Sequence, residues 1–205
     1  MDTTTIALIA AVLLGLFAGA ALGLTVGNRQ RTKRLQEKFG PEYDHTVDEF
    51  GDKRQAEREL QARLEHVQKL EIRPLSDHEI DRFTDDWLTT QAEFVDDPAE
   101  SVRNADRLMG EVLKAKGYPV EDFEQGVADI SVSYPELVKD YRELHSIAVK
   151  SADENIATEQ MRQAMLHGRD LFENLIGDHV NRQDENRSAI VGEVVEEPDE
   201  KEKVV

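Results

Sequence analysis

Hydrophobic and polar positions follow three different patterns along the chain. Residues 6–27 form a nearly continuous apolar run, which is long enough to cross a bilayer as a helix. From there to about residue 177, apolar residues recur at the spacing of amphipathic helices. Residues 178–205 are acidic and poor in large apolar side chains, and such segments are typically disordered. The pattern predicts an all-α protein with a short N-terminal flank at 1–5, a single N-terminal transmembrane helix, helical soluble regions and a disordered acidic C-terminal tail.

The helical region is predicted to have two parts. Residues 28–71 are interpreted as a basic juxtamembrane segment followed by a charged helical stalk, because their apolar stripe is narrow and short. Residues 72–177 are predicted to form a compact bundle of about four or five helices. A break at Phe39-Gly40-Pro41 is expected to end the helix that leaves the membrane.

Short signals mark the ends of the bundle helices. Ser76 followed by Glu79 matches a capping box, and Asp97 before Pro98 supplies an N-cap and a proline at the first helical position. Gly177 is expected to end the last helix. These signals predict where individual helices start and stop.

The only tryptophan lies on an apolar helical stripe. Trp87 shares that stripe with Phe83 and Phe94, and a tryptophan in this position usually belongs to a core. The other broad stripe is in the final helix. We expect Trp87 to be buried against that helix through Leu171, Phe172 or Leu175.

Small residues recur at every fourth position of the apolar run. They include Gly15, Gly19, Gly23 and Gly27, which a helix places along one face. Such a face lets two membrane helices approach closely. The register predicts self-association or association with another membrane helix, and the alternative is a monomeric anchor with a smooth face.

Charges beside the apolar run predict its orientation. Asp2 is the only charged side chain before the run. Basic residues follow the run directly: Arg29, Arg31, Lys33 and Arg34. Basic flanks remain cytoplasmic, so we expect a single-pass protein of the cell (inner) membrane with its N-terminus outside and its soluble domain in the cytoplasm. The same four side chains are expected to lie near the headgroups of the lipid bilayer. A cleavable signal is the alternative, because Ala18-Gly19-Ala20 resembles a cleavage site, but no basic residue precedes the run.

Composition limits the possible partners and chemistry. The formal net charge of -18 argues against a nucleic-acid partner, since such binding needs clustered lysine and arginine. The chain has no cysteine, which excludes disulfides and thiolate metal sites.

No catalytic or metal-binding motif stands out. Glu42-Tyr43-Asp44-His45 matches half of a di-iron motif, but a second copy is missing. His145 lies on the apolar side of its helix and is interpreted as a core histidine. We therefore predict no catalytic residue, cofactor or metal ion, and an enzyme is the least favoured class.

Four segments, FVDDP at 94–98, GYPV at 117–120, DFE at 122–124 and YRELH at 141–145, resemble uncharacterised bacterial proteins. Those proteins have one N-terminal transmembrane helix and a soluble helical domain. The similarity covers about residues 34–176. It implies a bacterial source and carries no activity.

Two functions from different classes fit the sequence. The favoured one is a membrane-tethered helical interaction or adaptor module, presented by an oligomerising anchor, with a protein partner for the bundle or the tail. The alternative is a regulatory domain at the membrane that binds a small ligand or a cation. An exposed apolar groove would favour the first, and a buried cluster of histidine and carboxylate side chains in a cleft would favour either the second or an enzyme.

Overall fold

A computed structural model describes residues 29–151 and 156–194, with side chains for 29–151 and 156–177. All regular secondary structure in these residues is helical, which confirms the predicted all-α class. The predicted transmembrane helix at 6–27, with its four glycines, lies outside the described residues. Among the helices that are described, none is both long and apolar enough to cross a membrane.

The chain forms helices separated by short connections. Helix α1 covers residues 29–39 and starts where the described part of the chain starts. The others are α2 (Pro41–Phe50), α3 (Lys53–Val67), α4 (Asp77–Glu93), α5 (Pro98–Ala115), α6 (Phe123–Ser133), a 3₁₀ turn (Pro135–Leu137), α7 (Val138–Lys150) and α8 (Thr158–Val194). They belong to two compact units. Within the described residues, the first unit comprises 29–69 and 128–136, and the second comprises 70–127 and 137–194.

The first unit is a folded body rather than the predicted stalk. Helix α1 ends at Phe39, and Gly40 has a positive φ of 48°, which a residue with a side chain adopts rarely. Pro41 then starts α2 at the expected break. The buried apolar side chains include Leu35, Phe39, Tyr43, Ala56, Leu60, Val67, Ile130 and Val132. The hydrophobic pattern did not predict this core, because part of its interior is made of buried charged side chains.

Polar groups occupy the interior of the first unit. Glu57 is buried and accepts hydrogen bonds from the hydroxyls of Thr32, at 2.7 Å, and Tyr43, at 3.0 Å. Burial and the hydrogen bond to Glu57 raise the pKa of Tyr43 to about 12. Arg63 Nη1 lies 3.1 Å from Glu42 Oε1, and both side chains are buried. The helices of this unit are therefore joined by buried hydrogen bonds and ion pairs as well as by apolar contact.

The second unit has the core that the sequence predicts. Trp87 is buried and stacks on Phe172, with ring centroids 5.2 Å apart. A Cβ at Gly168 of α8 would lie 3.3 Å from the Trp87 ring, so glycine provides the space that the ring occupies. Phe83 is fully buried, whereas Phe94 is half-buried because it lies just beyond the end of α4. The expectation that Trp87 packs against the final helix is confirmed.

Most of the predicted helix ends are confirmed. Ser76 and Glu79 form the capping box of α4, and the Asp97 carboxylate accepts a hydrogen bond from the Glu100 amide at 2.9 Å. The end of α8 is a correction, because the helix continues through Gly177 to Val194. Gly177 lacks the positive φ that ends α2 at Gly51, and a glycine inside a helix costs only about 1 kcal/mol. The first part of the predicted disordered tail is thus helical, and residues 195–205 lie outside the described residues.

Candidate functional site

A cleft of about 300 Å³ opens in the second unit between α5, the start of α6 and α7. Its lining contains an acid, an imidazole, a phenol and an aromatic ring: Asp106, His145, Tyr141 and Phe123. This volume is at the lower end of the range for small-molecule sites. The cleft is thus large enough for a compact ligand.

Helix spacing explains how these groups come together. Tyr141 and His145 are four residues apart on α7, so both project from one face. On α5 the same spacing places Asp106 and Gly110 on one side, and a Cβ at Gly110 would have no neighbour within 4 Å. The missing side chain at Gly110 keeps space open beside the carboxylate.

Asp106 and His145 form a directed pair. His145 Nδ1 lies 2.9 Å from Asp106 Oδ2. The imidazole stacks on Phe123, with ring centroids 3.6 Å apart and planes 14° apart. A neutral His145 that donates from Nδ1 keeps Nε2 as an acceptor, and a protonated one has a second donor there. The His145 ring is therefore held in place by Asp106 at Nδ1 and by Phe123 on one face. Its Nε2 atom can still donate or accept a hydrogen bond.

Two polar atoms at this cleft have no hydrogen-bond partner within the described part of the chain, and one of them is fully buried. Asp106 Oδ1 is buried without a hydrogen-bond partner, and the Tyr141 hydroxyl makes no hydrogen bond there either. Burial and the nearby charge of Asp106 raise the pKa of Tyr141, so its hydroxyl stays a neutral donor. An unpaired buried carboxylate oxygen is costly. A ligand with a matching donor would remove that cost.

The rim of the cleft carries charges of both signs. Arg107 lies 3.4 Å from Glu111 and donates a hydrogen bond to Asn104. Lys114 is exposed and forms no ion pair among the described residues. The rim therefore gives no strong preference for an anionic or a cationic ligand.

A second cavity, of about 340 Å³, lies in the first unit between α1 and α3. We call it the basic groove, and it is lined by Gln30, Arg31, Arg34, Leu35, Lys38, Gln61 and Leu64. Two of the four predicted basic residues, Arg31 and Arg34, therefore line a common cavity. Arg29 and Lys33 do not line it, and Lys38 does.

The described residues contain no group of three or more histidine, aspartate and glutamate side chains placed to hold a metal ion. In the half motif at 42–45, Glu42 is buried against Arg63 while His45 is exposed, so the two do not converge. His167 instead bridges to α7, with 2.8 Å from Nδ1 to Asp140 and 2.8 Å from Nε2 to Glu143. That arrangement joins two helices.

The sequence did not indicate Asp106 as a site residue. It lies 39 positions before His145, and only the packing of α5 against α7 brings the two together. The one local signal was the spacing of Tyr141 and His145 on one helical face.

No protein-family model, curated protein or solved structure matches this chain. The two candidate sites therefore rest on their own geometry.

Proposed function

We propose that this protein is a membrane-tethered helical domain that binds a small hydroxylated ligand in the cleft of the second unit. One observation carries the proposal: the buried Asp106 Oδ1 has no hydrogen-bond partner in the described residues and belongs to a carboxylate that lines a cleft. This is the histidine and carboxylate cleft that favours the ligand-binding function over the adaptor function.

The chemistry of the ligand follows from two groups at the cleft. Asp106 Oδ1 is buried and needs a donor, and the Tyr141 hydroxyl, whose raised pKa keeps it neutral, can donate to an acceptor. A single hydroxyl group both donates and accepts, whereas an ammonium group only donates. Phe123 and the stacked His145 provide an apolar wall. A compact, mainly apolar molecule with one hydroxyl therefore fits best.

The membrane part of the proposal rests on the sequence. The apolar run at 6–27 and the basic residues after it favour an anchor with the helical domain on the cytoplasmic side. The glycine register supports association of that anchor.

The adaptor function has less support from the described residues. The large exposed apolar side chains are Leu88, Val95, Val149 and Leu166, and they line neither the cleft of the second unit nor the basic groove. An adaptor would be favoured by a continuous apolar groove.

Ligand binding is tested with a panel of small phenols and alcohols. The full chain is purified in neutral detergent micelles, and binding is measured by saturation-transfer NMR. We expect at least one compound to bind and the variant Tyr141→Phe to weaken it about 10-fold, the effect of one hydrogen bond of roughly 1.4 kcal/mol. This variant keeps the ring and removes only the hydroxyl.

Tyr134→Phe is the matched control, because Tyr134 belongs to the first unit and does not line the cleft. Its affinity should equal that of the unmodified chain. Failure of every compound to bind, or equal binding by both variants, would contradict the proposal.

A further inference from the structure

We infer that the basic groove of the first unit binds a phosphate group, and that an anionic phospholipid headgroup supplies it. The phosphate chemistry follows from the groove alone. The lipid source rests on the proposed membrane tether.

Three basic side chains from one face of α1 line the groove. Arg31, Arg34 and Lys38 are spaced by three and four residues on α1, so their side chains share a face. The opposite wall comes from α3, which contributes Gln61 and Leu64. The result is a three-cation cavity of about 340 Å³ with an amide and an apolar side chain across from the charges.

These cations have no carboxylate partner in the described part of the chain. Five arginines there do pair with acids: Arg63, Arg73, Arg103, Arg107 and Arg162. Arg31, Arg34 and Lys38 form no ion pair or hydrogen bond within the described residues. The chain has 43 acidic residues against 25 basic ones, and Glu65 lies next to the groove, yet it accepts a hydrogen bond from Gln61 and pairs with none of the three cations. Three unpaired cations at one cavity instead leave room for an external anion.

A phosphate group matches this set of donors. The planar guanidinium groups of Arg31 and Arg34 can each donate two hydrogen bonds to phosphate oxygens, and Lys38 adds a compact charge. Gln61 is half-buried, and its side-chain amide donates to Glu65 at 3.3 Å. Leu64 is also half-buried and offers apolar contact to the carbon atoms next to a phosphate ester. A phosphate ester with an apolar portion uses all of these groups.

The position of the groove favours a lipid as the source. Its cations begin within five residues of the end of the predicted transmembrane segment at 6–27. Basic side chains at this distance reach the headgroup region of an anionic leaflet. A soluble phosphate would have no reason to be enriched there.

The test compares two double variants of the full chain in neutral detergent micelles. Arg34→Gln with Lys38→Gln removes two groove cations. Arg29→Gln with Lys33→Gln removes the same residue types from the same helix but outside the groove. All four residues are exposed, so neither pair should disturb the fold. Micelles doped with dihexanoyl phosphatidylglycerol are one ligand, inorganic phosphate is the other, and binding is measured by NMR shifts of the α1 and α3 amides.

We expect the doped micelles to shift these amides and the groove variant to bind them about 10- to 30-fold more weakly, because it loses two groups that donate directly to the phosphate. The control variant removes the same charge near the headgroups but no phosphate donor, so it should change the affinity less than about 3-fold. Equal losses in both variants would overturn the proposal in favour of a diffuse basic surface. Preference for inorganic phosphate over the lipid would overturn the lipid source, and absence of binding to either would overturn the site. None of these outcomes bears on the cleft around Tyr141, which is tested separately.

Discussion

The interiors of the two units differ in chemistry. In the first, the buried side chains include Glu42, Glu57, Arg63 and Asp129, which are at most 8% exposed. In the second, the core is built from Trp87, Phe172 and aliphatic side chains. Its buried Lys116 donates a hydrogen bond to the carbonyl of Leu175 at 2.8 Å. Charged groups are thus integral to one interior and an exception in the other.

This difference teaches how each unit should respond to substitution. A buried ion pair adds little net stability, because desolvation offsets the attraction, but removal of one partner leaves a charge without compensation. An apolar core tolerates changes of shape better than loss of volume. The first unit should therefore be sensitive to charge deletion and the second to deletion of volume.

The largest expected effect concerns the ion pair of the first unit. Arg63→Met leaves the Glu42 carboxylate buried without its guanidinium partner, and we expect a loss of about 3–5 kcal/mol. Arg63 Nε also bonds Glu59 at 3.1 Å, which adds to the cost. Hydrogen exchange of the α2 and α3 amides in the full chain measures the change.

The double variant Glu42→Leu with Arg63→Met tests the cause. Replacing both charges with apolar groups should restore much of the lost stability. If the double variant is as unstable as the sum of its single variants, packing rather than charge compensation explains the sensitivity.

A comparable effect is expected from the core of the second unit. Trp87→Ala removes a buried ring stacked on Phe172, and we expect a loss of about 3–5 kcal/mol. Chemical denaturation of the full chain followed by circular dichroism measures it. Leu88→Ala is the control, since the neighbouring Leu88 is 57% exposed and should change stability by less than about 0.5 kcal/mol. An unchanged midpoint for Trp87→Ala would instead assign the ring to an interaction surface.

The same difference explains which parts of the fold the sequence predicted. In the second unit, apolar stripes around Trp87 and Phe172 and the caps at Ser76 and Asp97 were sufficient, because hydrophobic periodicity reports directly on this kind of core. In the first unit, residues 28–71 read as a stalk because Glu57 and Arg63 count as surface residues in any hydrophobic pattern. Their burial depends on partners from other helices, which no local pattern encodes.

The two candidate sites were predicted to different extents for a related reason. Basic residues after the apolar run were evident, but only the packing of α1 against α3 separates Arg31 and Arg34, which line the groove, from Arg29 and Lys33, which do not. The pair of Asp106 with His145 depends in the same way on two helices that meet. Sequence periodicity identifies one wall of such a site, and tertiary packing supplies the other.

The smallest expected loss of stability comes from removing a helix N-cap. It should be the same in both units, because the caps lie at exposed helix starts. Asp52 caps α3 in the first unit, where its carboxylate accepts a hydrogen bond from the Gln55 amide at 2.8 Å. Ser76 caps α4 in the second unit. A cap satisfies local backbone donors and does not depend on the interior. Asp52→Ala and Ser76→Ala should each therefore cost about 1 kcal/mol.

Hydrogen exchange of the first-turn amides of α3 and α4 measures both costs in the full chain. Asp52→Asn and Ser76→Asn are the matched controls, since asparagine is also a good cap and should change stability little. The hydrogen bond from Arg73, at 2.7 Å, holds the pKa of Glu79 well below its usual range, and the Glu79 carboxylate still accepts from the Ser76 amide at 2.8 Å when the serine hydroxyl is removed. If Asp52→Ala costs several times more stability than Ser76→Ala, the two units also differ in how sensitive their surfaces are to substitution. The polar interior of the first unit would then not be the whole cause of its sensitivity.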